Sequence, residues 1–549
     1  MKVLGINAVF HDPAAALLVD GKIVAATEEE RFSRRKHGKR PVPFSTWELP
    51  VAAAEWCLEE GGLKAEDLDA VAYSYDPQLA PSGDGDLIAS EWEGLRTLYA
   101  ARAPRFLETA LPGLDGERVE FVAHHVAHAA SAYLAGPERN AAVLVVDGRG
   151  ERTSALLGHA QDGRLRPLST QPLPDSLGLL YEELTAHLGF LRSSDEYKVM
   201  ALAAYGQPRY LDHFRSLMTT DGEGHFHTEP VAWDRFCPAA PPDGADGPRL
   251  EEEHADLAAS VQTRLEEVLL ELAGWLHAHT GEEALVLAGG VALNCVANAR
   301  LARESPFRRV WAQPASGDAG TALGAAAYLA ESRGDRVSPM TTAALGRQFS
   351  DQEIEAALRT ARVPFERPAD LADAVAAIIA QDGIVAWFQG RSEWGPRALG
   401  HRSLLANPSR AENLGRLNDV KGREQFRPIA PMVLEDRAAE MFDGQLPSPY
   451  MLFTHRVLDG WGARLPATTH VDGTARIQTV NRDEEPLLAR LLEAFQARTG
   501  LPVLVNTSLN VAGRPIVDSI RDALECWGST PLDALAIGPY LLRRTAWAG

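Results

Sequence analysis

The stretch from Phe121 to Glu151, FVAHHVAHAASAYLAGPERNAAVLVVDGRGE, constrains this chain more than any other part of it. It sets His124 and His128 four residues apart, then runs into an apolar strand, AAVLVVD, that delivers Asp147 at its C-terminal end. On a helix, residues i and i+4 share one face, so an imidazole pair joined by a carboxylate from a strand end describes a divalent-metal site. The ordinary reading is two polar positions on a half-exposed helix, and the spacing alone does not choose between them. A zinc protease is excluded: H-E-x-x-H needs a glutamate as base, and His125 stands in its place.

The rest of the chain bounds what such a site serves. At 549 residues it exceeds one ordinary domain, so two or more cores are expected. With 54 basic against 75 acidic residues and a formal charge of −21, it offers no general field for nucleic acid or anionic lipid, which favours a small-molecule partner. The opening MKVLGINAVFHD meets Asn7 and Asp12 too soon for a signal peptide, and no run of about 18 apolar residues follows. A cytoplasmic location with no membrane partner is expected. Cys57, Cys237, Cys295 and Cys526 lie far apart with no C-x-x-C spacing, as buried free thiols would.

In chain order, residues 2–8, 14–19 and 22–26 read as strands, with Asp20-Gly21 as a two-residue hairpin turn. A β-β-β start with polar residues after the first strand is how actin-like ATPases open, an analogy of fold only. His11 and Asp12 sit just beyond that strand, where a general base has a place. Arg31, Arg34, Arg35, Lys36, Lys39 and Arg40 follow three glutamates; a solvated charged turn is the ordinary reading of that run.

Three glycine-rich elements come next. Asp147-Gly148-Arg149-Gly150-Glu151 lets backbone approach a ligand, or makes a plain hairpin. ALVLAGGVAL runs a strand into Gly289-Gly290 and a helical pattern with Asn294, where backbone N–H groups can hold phosphate, although close packing also demands glycine. PASGDAGTALG puts Asp318 in a small-residue turn before a helix, a second carboxylate for the centre. Two imidazoles and two carboxylates suit iron(II), manganese or zinc better than calcium. Lys198, in SSDEYKVMALAAYG, is placed to cap the pocket.

Around residues 331–342 the periodicity lapses into a linker, and SDQEIEAALRTA starts a new helix with Ser350 as N-cap and Glu353 three later. The boundary is set near Gly346, giving domains 1–345 and 346–549. Residues 391–427 carry eight basic and four acidic side chains, a local excess of cation that fits an anionic ligand. Arg410 and Arg416 fit exposed helix faces; Arg397 and Arg402 lie among Gly395, Pro396 and Gly400, which fix the backbone around them. Arg476 lies in a strand-like ARIQTV, and VLVNTSLN puts Asn506 and Ser508 at a strand end, where a nucleotide, a carbamoyl group or a simple turn would use them.

Ten ordered motifs, FHD, EEERFSRRKHG, HHVAH, VDGRGE, DEYKVMALAAYG, GGVALN, PASGDAG, GRSEWGPRALGHRS, VKGREQFRPIAP and VNTSLN, spread over nearly the whole chain. Together they resemble the O-carbamoyltransferases that decorate nodulation factors and antibiotics such as cephamycin and tobramycin. The resemblance implies an α/β protein: an N-terminal actin-like domain of two ribonuclease-H-like halves, similar to the tRNA threonylcarbamoylation enzyme, then a C-terminal YrdC-like domain. It implies that carbamoyl phosphate and ATP with Mg2+ give carbamoyladenylate in the second domain, and that the first transfers the carbamoyl group to a small-molecule hydroxyl acceptor. It further implies iron(II) on His124, His128, Asp147 and Asp318, His11 as base, and Lys36 near the transferred group. Lys421, Arg427 and Arg476 are matched to carbamoyl phosphate or the adenylate, with Asn506 and Ser508 close by.

A tRNA threonylcarbamoyl transferase and a non-catalytic actin-like ATPase clamp are the alternatives; the acidic balance speaks against the first, the Arg-rich second domain against the other. Residues 77–110 and 219–250 are expected to wall the acceptor pocket. The acceptor itself, and the choice between monomer and homodimer, are left open by the sequence.

Overall fold

The computed structural model describes residues 1–38, 49–80, 91–241 and 248–544. Lys39, Arg40 and parts of both expected acceptor-wall segments lie outside the described residues. The chain divides into two compact units, Met1–Thr341 and Thr342–Gly549. The break therefore falls ahead of Gly346, which belongs to the second unit: its N–H donates to the Ser392 carbonyl, and a Cβ on it would lie 2.3 Å from Ser392 Oγ.

The first unit is a duplicated α/β fold. Its first sheet contains β1 (Lys2–Asn7), β2 (Ala14–Val19), β3 (Lys22–Glu28), β4 (Ala70–Tyr73) and β5 (Val119–Phe121), in the order β3-β2-β1-β4-β5. The second contains β6 (Asn140–Val146), β7 (Thr153–Gln161), β8 (Arg164–Pro172), β9 (Ala284–Ala288) and β10 (Arg309–Ala312), in the order β8-β7-β6-β9-β10. In both, the first three strands form an antiparallel meander and the fourth and fifth add in parallel beside the first. That repeated order defines two ribonuclease-H-like halves, the actin-like class. The Asp20-Gly21 hairpin forms as expected, with φ of 48° and 72° at its two residues.

Small residues bring the halves' elements close enough to share one site. Helix α1 (His124–Tyr133) packs on α6 (Ala319–Ser332), with a Cβ on Gly324 only 1.8 Å from the Ala127 carbonyl oxygen. The same helix α6 lies on β1, where a Cβ on Gly5 would fall 1.8 Å from the Ala322 oxygen. Alanine and glycine thus set backbone-to-backbone contact, which holds α1 and the start of α6 together. Between β8 and β9 stand α2 (Leu177–His187), α3 (Glu196–Ala203) and the long α4 (Glu252–Thr280); α5 (Cys295–Glu304) follows β9.

The second unit is a seven-stranded mixed sheet of β11 (Val385–Phe388), β12 (Arg402–Ala406), β13 (Ala430–Leu434), β14 (Gln478–Val480), β15 (Val503–Ser508), β16 (Ala534–Ile537) and β17 (Tyr540–Arg543). Its order is β14-β13-β15-β12-β11-β16-β17. Alternation places Ala386 and Phe388 in one core and Val385 and Trp387 in the other, so both faces are covered. Helices α7 (Asp351–Ala361), α9 (Glu412–Lys421) and α11 (Ile520–Ser529) cover one face, α8 (Leu371–Ala380) and α10 (Pro486–Thr499) the other. The Ser350–Glu353 capping box opens α7 as the sequence indicates. All four cysteines are buried and free. Among the described residues no helix is long and apolar enough to cross a membrane.

Candidate metal centre and transfer site

The four expected donors converge. His124 and His128 lie on the first two turns of α1, Asp147 follows the last residue of β6, and Asp318 caps α6. One ligand atom from each lies within 4.8 Å of every other, and all four residues are buried. His124 Nε2 is 3.3 Å from Asp147 Oδ2 and 3.5 Å from Asp318 Oδ1; His128 Nε2 is 3.4 and 3.6 Å from the same oxygens. Donors about 2.0–2.2 Å from a common first-row cation stand roughly 3–3.5 Å from one another, so the quartet fits such an ion.

The surroundings of the quartet fit the ion as well. His124 Nδ1 donates to the Ser74 carbonyl at 3.3 Å, which turns Nε2 inward. Among the described residues neither nitrogen of His128 has a hydrogen-bond partner, although both are enclosed. The remaining carboxylate oxygens are tied by backbone: Gly290 N–H donates to Asp147 Oδ1 at 2.8 Å, and His11 N–H to Asp318 Oδ2 at 3.3 Å. Burial alone would raise Asp147, but the His124 and His128 imidazoles facing it outweigh that and hold the carboxyl well below its usual range. Burial lowers His124 and the two aspartates more than restore it, leaving the imidazole well above its ordinary value. The neighbouring His125 is pushed down to about 3 by burial and the adjacent imidazoles, and its Nδ1 shares a 2.8 Å hydrogen bond with Thr153 Oγ1. It takes no part in the quartet.

The double glycine serves this centre through geometry. Gly289 adopts φ +87° and a Cβ on it would lie 2.2 Å from the Val146 oxygen, so no larger residue fits there. Gly148 faces Glu182, whose Oε1 lies 3.3 Å from where its Cβ would be, and Arg149 is partly buried beside it. Asn294 caps α5 through Ala297 N–H and exchanges hydrogen bonds with Gln262.

His11 sits at the rim of the quartet, with Nε2 3.8 Å from Asp318 Oδ2. Lys36 Nζ lies 5.6 Å from the centre of the Tyr197 ring, on α3. The preceding residue of that helix and a glutamate of α2, Glu196 and Glu182, share Ser193, through its N–H and its hydroxyl respectively. Burial and the nearby Glu182 push Glu196 up to about 7. Lys198 pairs with Asp195 at 3.2 Å and lies over Phe190, buried in its own unit's wall.

In the second unit, Lys421 ends α9 and its Nζ reaches Ser508 Oγ at 3.0 Å as well as the Asn510 side chain. Asn506 Nδ2 donates to Gln478 Oε1 at 2.7 Å, while its buried Oδ1 has no hydrogen-bond partner among the described residues. Arg427 lies 3.4 Å from Glu424. Arg397 and Arg476 are partly buried. Arg476 is not inside one strand: it falls at a break, with Thr474–Ala475 in a small three-stranded sheet and Gln478–Val480 in the large one. Arg402 differs from the anion-facing role expected of it. It is wholly buried, its guanidinium donates to the carbonyls of Gln389, His401, Arg347 and Gly390, and it stacks 3.7 Å from the Phe388 ring centre.

Sequence reasoning missed Glu151 and His37. Glu151 Oε1 accepts the N–H groups of Asp76 and His124, both at 2.8 Å, and so caps the helix that carries His124 and His128 from a distant turn. Its place in VDGRGE was visible, its target was not.

The fold and this candidate centre describe a two-unit protein, an actin-like unit holding a buried quartet of two histidines and two aspartates followed by a mixed α/β unit. Models of the carbamoyltransferase N-terminus and C-terminus match residues 2–327 and 376–544, and the chain belongs to the carbamoyltransferase family. It is a transferase. It is 38% identical to the uncharacterized protein sll1178 of Synechocystis sp., over 99% of this chain and 97% of that one. It is also 38% identical to the nodulation protein NolNO of Sinorhizobium fredii, over 98% of this chain and 80% of the relative. Among solved structures it resembles HypF of T. kodakarensis, at 15% identity over 61% of this chain and 49% of that one, with a TM-score of 0.33.

Proposed function

We propose that this carbamoyltransferase is ATP-dependent and acts on a hydroxyl of a small molecule, forming carbamoyladenylate from carbamoyl phosphate and ATP and then an O-carbamate. Residues 346–549 would form the adenylate, with Lys421, Arg427, Arg476, Asn506, Ser508 and Arg397 holding its anionic parts. Residues 1–345 would perform the transfer. The observation that carries the reading is the buried quartet of His124, His128, Asp147 and Asp318 with His11 at its rim.

A carbamoyl group is a poor electrophile, because its nitrogen donates into the carbonyl; joining it to AMP supplies a leaving group. The quartet would hold iron(II) or a similar divalent ion, which supplies Lewis-acid stabilisation of the charge that develops on carbonyl and phosphate oxygens. His11 takes the acceptor's proton, Lys36 balances charge near the carbonyl, and the close-packed glycine turns keep water from the adenylate.

The test separates two steps. With Lys421→Ala, pyrophosphate release dependent on carbamoyl phosphate should disappear while transfer from supplied carbamoyladenylate persists; with His128→Ala the pattern should reverse. Equal loss of both steps in both variants would refute the division of labour.

A further inference from the structure

His11 is one end of a hydrogen-bonded chain that joins two of the motifs, FHD and EEERFSRRKHG. Its Nδ1–H donates to Asp12 Oδ2 at 2.8 Å, and His37 Nδ1–H donates to the other oxygen of the same carboxylate, Oδ1, at 2.7 Å. His37 is itself fixed through its backbone N–H, which donates to Glu30 Oε2 at 2.7 Å. The loop holding these groups is anchored by the buried Asn7, whose Nδ2 donates to the carbonyls of both His11 and Asp12 at 3.0 Å. Phe10, Asp12 and His37 have φ of 64°, 51° and 59°. Left-handed backbone at three side-chain-bearing residues costs of order 1 kcal/mol each and persists only where surrounding contacts hold it.

From this geometry we infer that Asp12 and His37 are positioning residues for the transfer step, Asp12 fixing His11 in the tautomer that presents an unprotonated Nε2 toward the quartet, and His37 locking the carboxylate in that orientation. The inference rests on the transferase reading of the same site. A carboxylate that accepts Nδ1–H leaves the lone pair on Nε2, and that nitrogen is the one 3.8 Å from Asp318. In the step so arranged, the acceptor O–H proton passes to His11 Nε2 and the acceptor oxygen bonds the carbamoyl carbon. The bond from that carbon to the phosphate oxygen breaks, and AMP leaves with the electron pair.

The experiment uses the full-length protein charged with carbamoyl phosphate and ATP and two probe nucleophiles. Ethylene glycol needs its proton removed; hydroxylamine attacks as a neutral amine and gives hydroxyurea without a base. Asp12→Asn lets an amide donate to Nδ1 and so favours the wrong tautomer. It should lower the turnover number with glycol by roughly a hundred- to ten-thousand-fold at little change in KM, with a loss at least tenfold smaller for hydroxylamine. His37→Gln should show the same selective loss at smaller amplitude. Equal losses for the two nucleophiles in both variants, or no loss with glycol, would overturn the positioning role while leaving the transferase reading intact. A wild-type protein that makes neither carbamate nor hydroxyurea would overturn both.

Discussion

Glu196 offers a pH test of the transfer site that needs no substrate. Its carboxyl is pushed from 4.5 up to about 7, first by burial and then by Glu182. Between those two values the native state keeps a proton that the unfolded chain has released, so stability falls as pH rises across the window, and above about 7 the cost is fully present. A shift from 4.5 to about 7 is worth about 3 kcal/mol at about 1.4 kcal/mol per unit, a ceiling because the side chain keeps some contact with solvent. Glu196→Gln removes the ionisation but keeps an oxygen to accept the Ser193 N–H, now 2.7 Å from Oε1. The variant should match the wild type near pH 4.5 and exceed it progressively to pH 8, by about 1.5–3 kcal/mol. Urea denaturation of both proteins at several pH values between 4.5 and 8 reads the difference, in which titrating groups that do not interact with Glu196 cancel. A difference that stays constant with pH, or a variant that is less stable at pH 8, would refute the argument.

Two further outcomes follow, one for each unit. His128→Ala should reduce bound divalent metal, measured by elemental analysis of the purified protein, and abolish the rise in melting temperature on adding iron(II) or manganese, because a quartet reduced to three donors binds far more weakly; unchanged metal content would exclude the quartet as the site. In the second unit Glu393 Oε1 accepts N–H groups from Leu399, His401 and Arg402 at 2.8, 3.0 and 3.0 Å, so Glu393→Ala strands three buried donors and should lower that unit's stability by about 3 kcal/mol or more. A denaturation shift below about 1 kcal/mol would show that water or a neighbour replaces the carboxylate.

Legibility in the sequence followed the range of each interaction. The convergence of the quartet was readable because each candidate donor stands at a punctuated place: an i,i+4 pair, a strand end before glycine, a turn before a small-residue helix. The Ser350 capping box and the Asp20-Gly21 hairpin are equally local. The charge excess of residues 391–427, by contrast, treated all cations alike. Counting does not separate Lys421, which reaches a strand-end hydroxyl, from Arg402, whose buried guanidinium donates to four carbonyls and so orders the loop. His37 was hidden for a related reason. It lies in a run of like charges that patterning assigns to solvent, and only the left-handed turns at Asp12 and His37 bring it onto the carboxylate beside His11. Short-range chemistry names the candidate donor atoms; the backbone conformations that bring His37 onto Asp12 depend on contacts far apart in the chain, and there the three-dimensional arrangement carries the information.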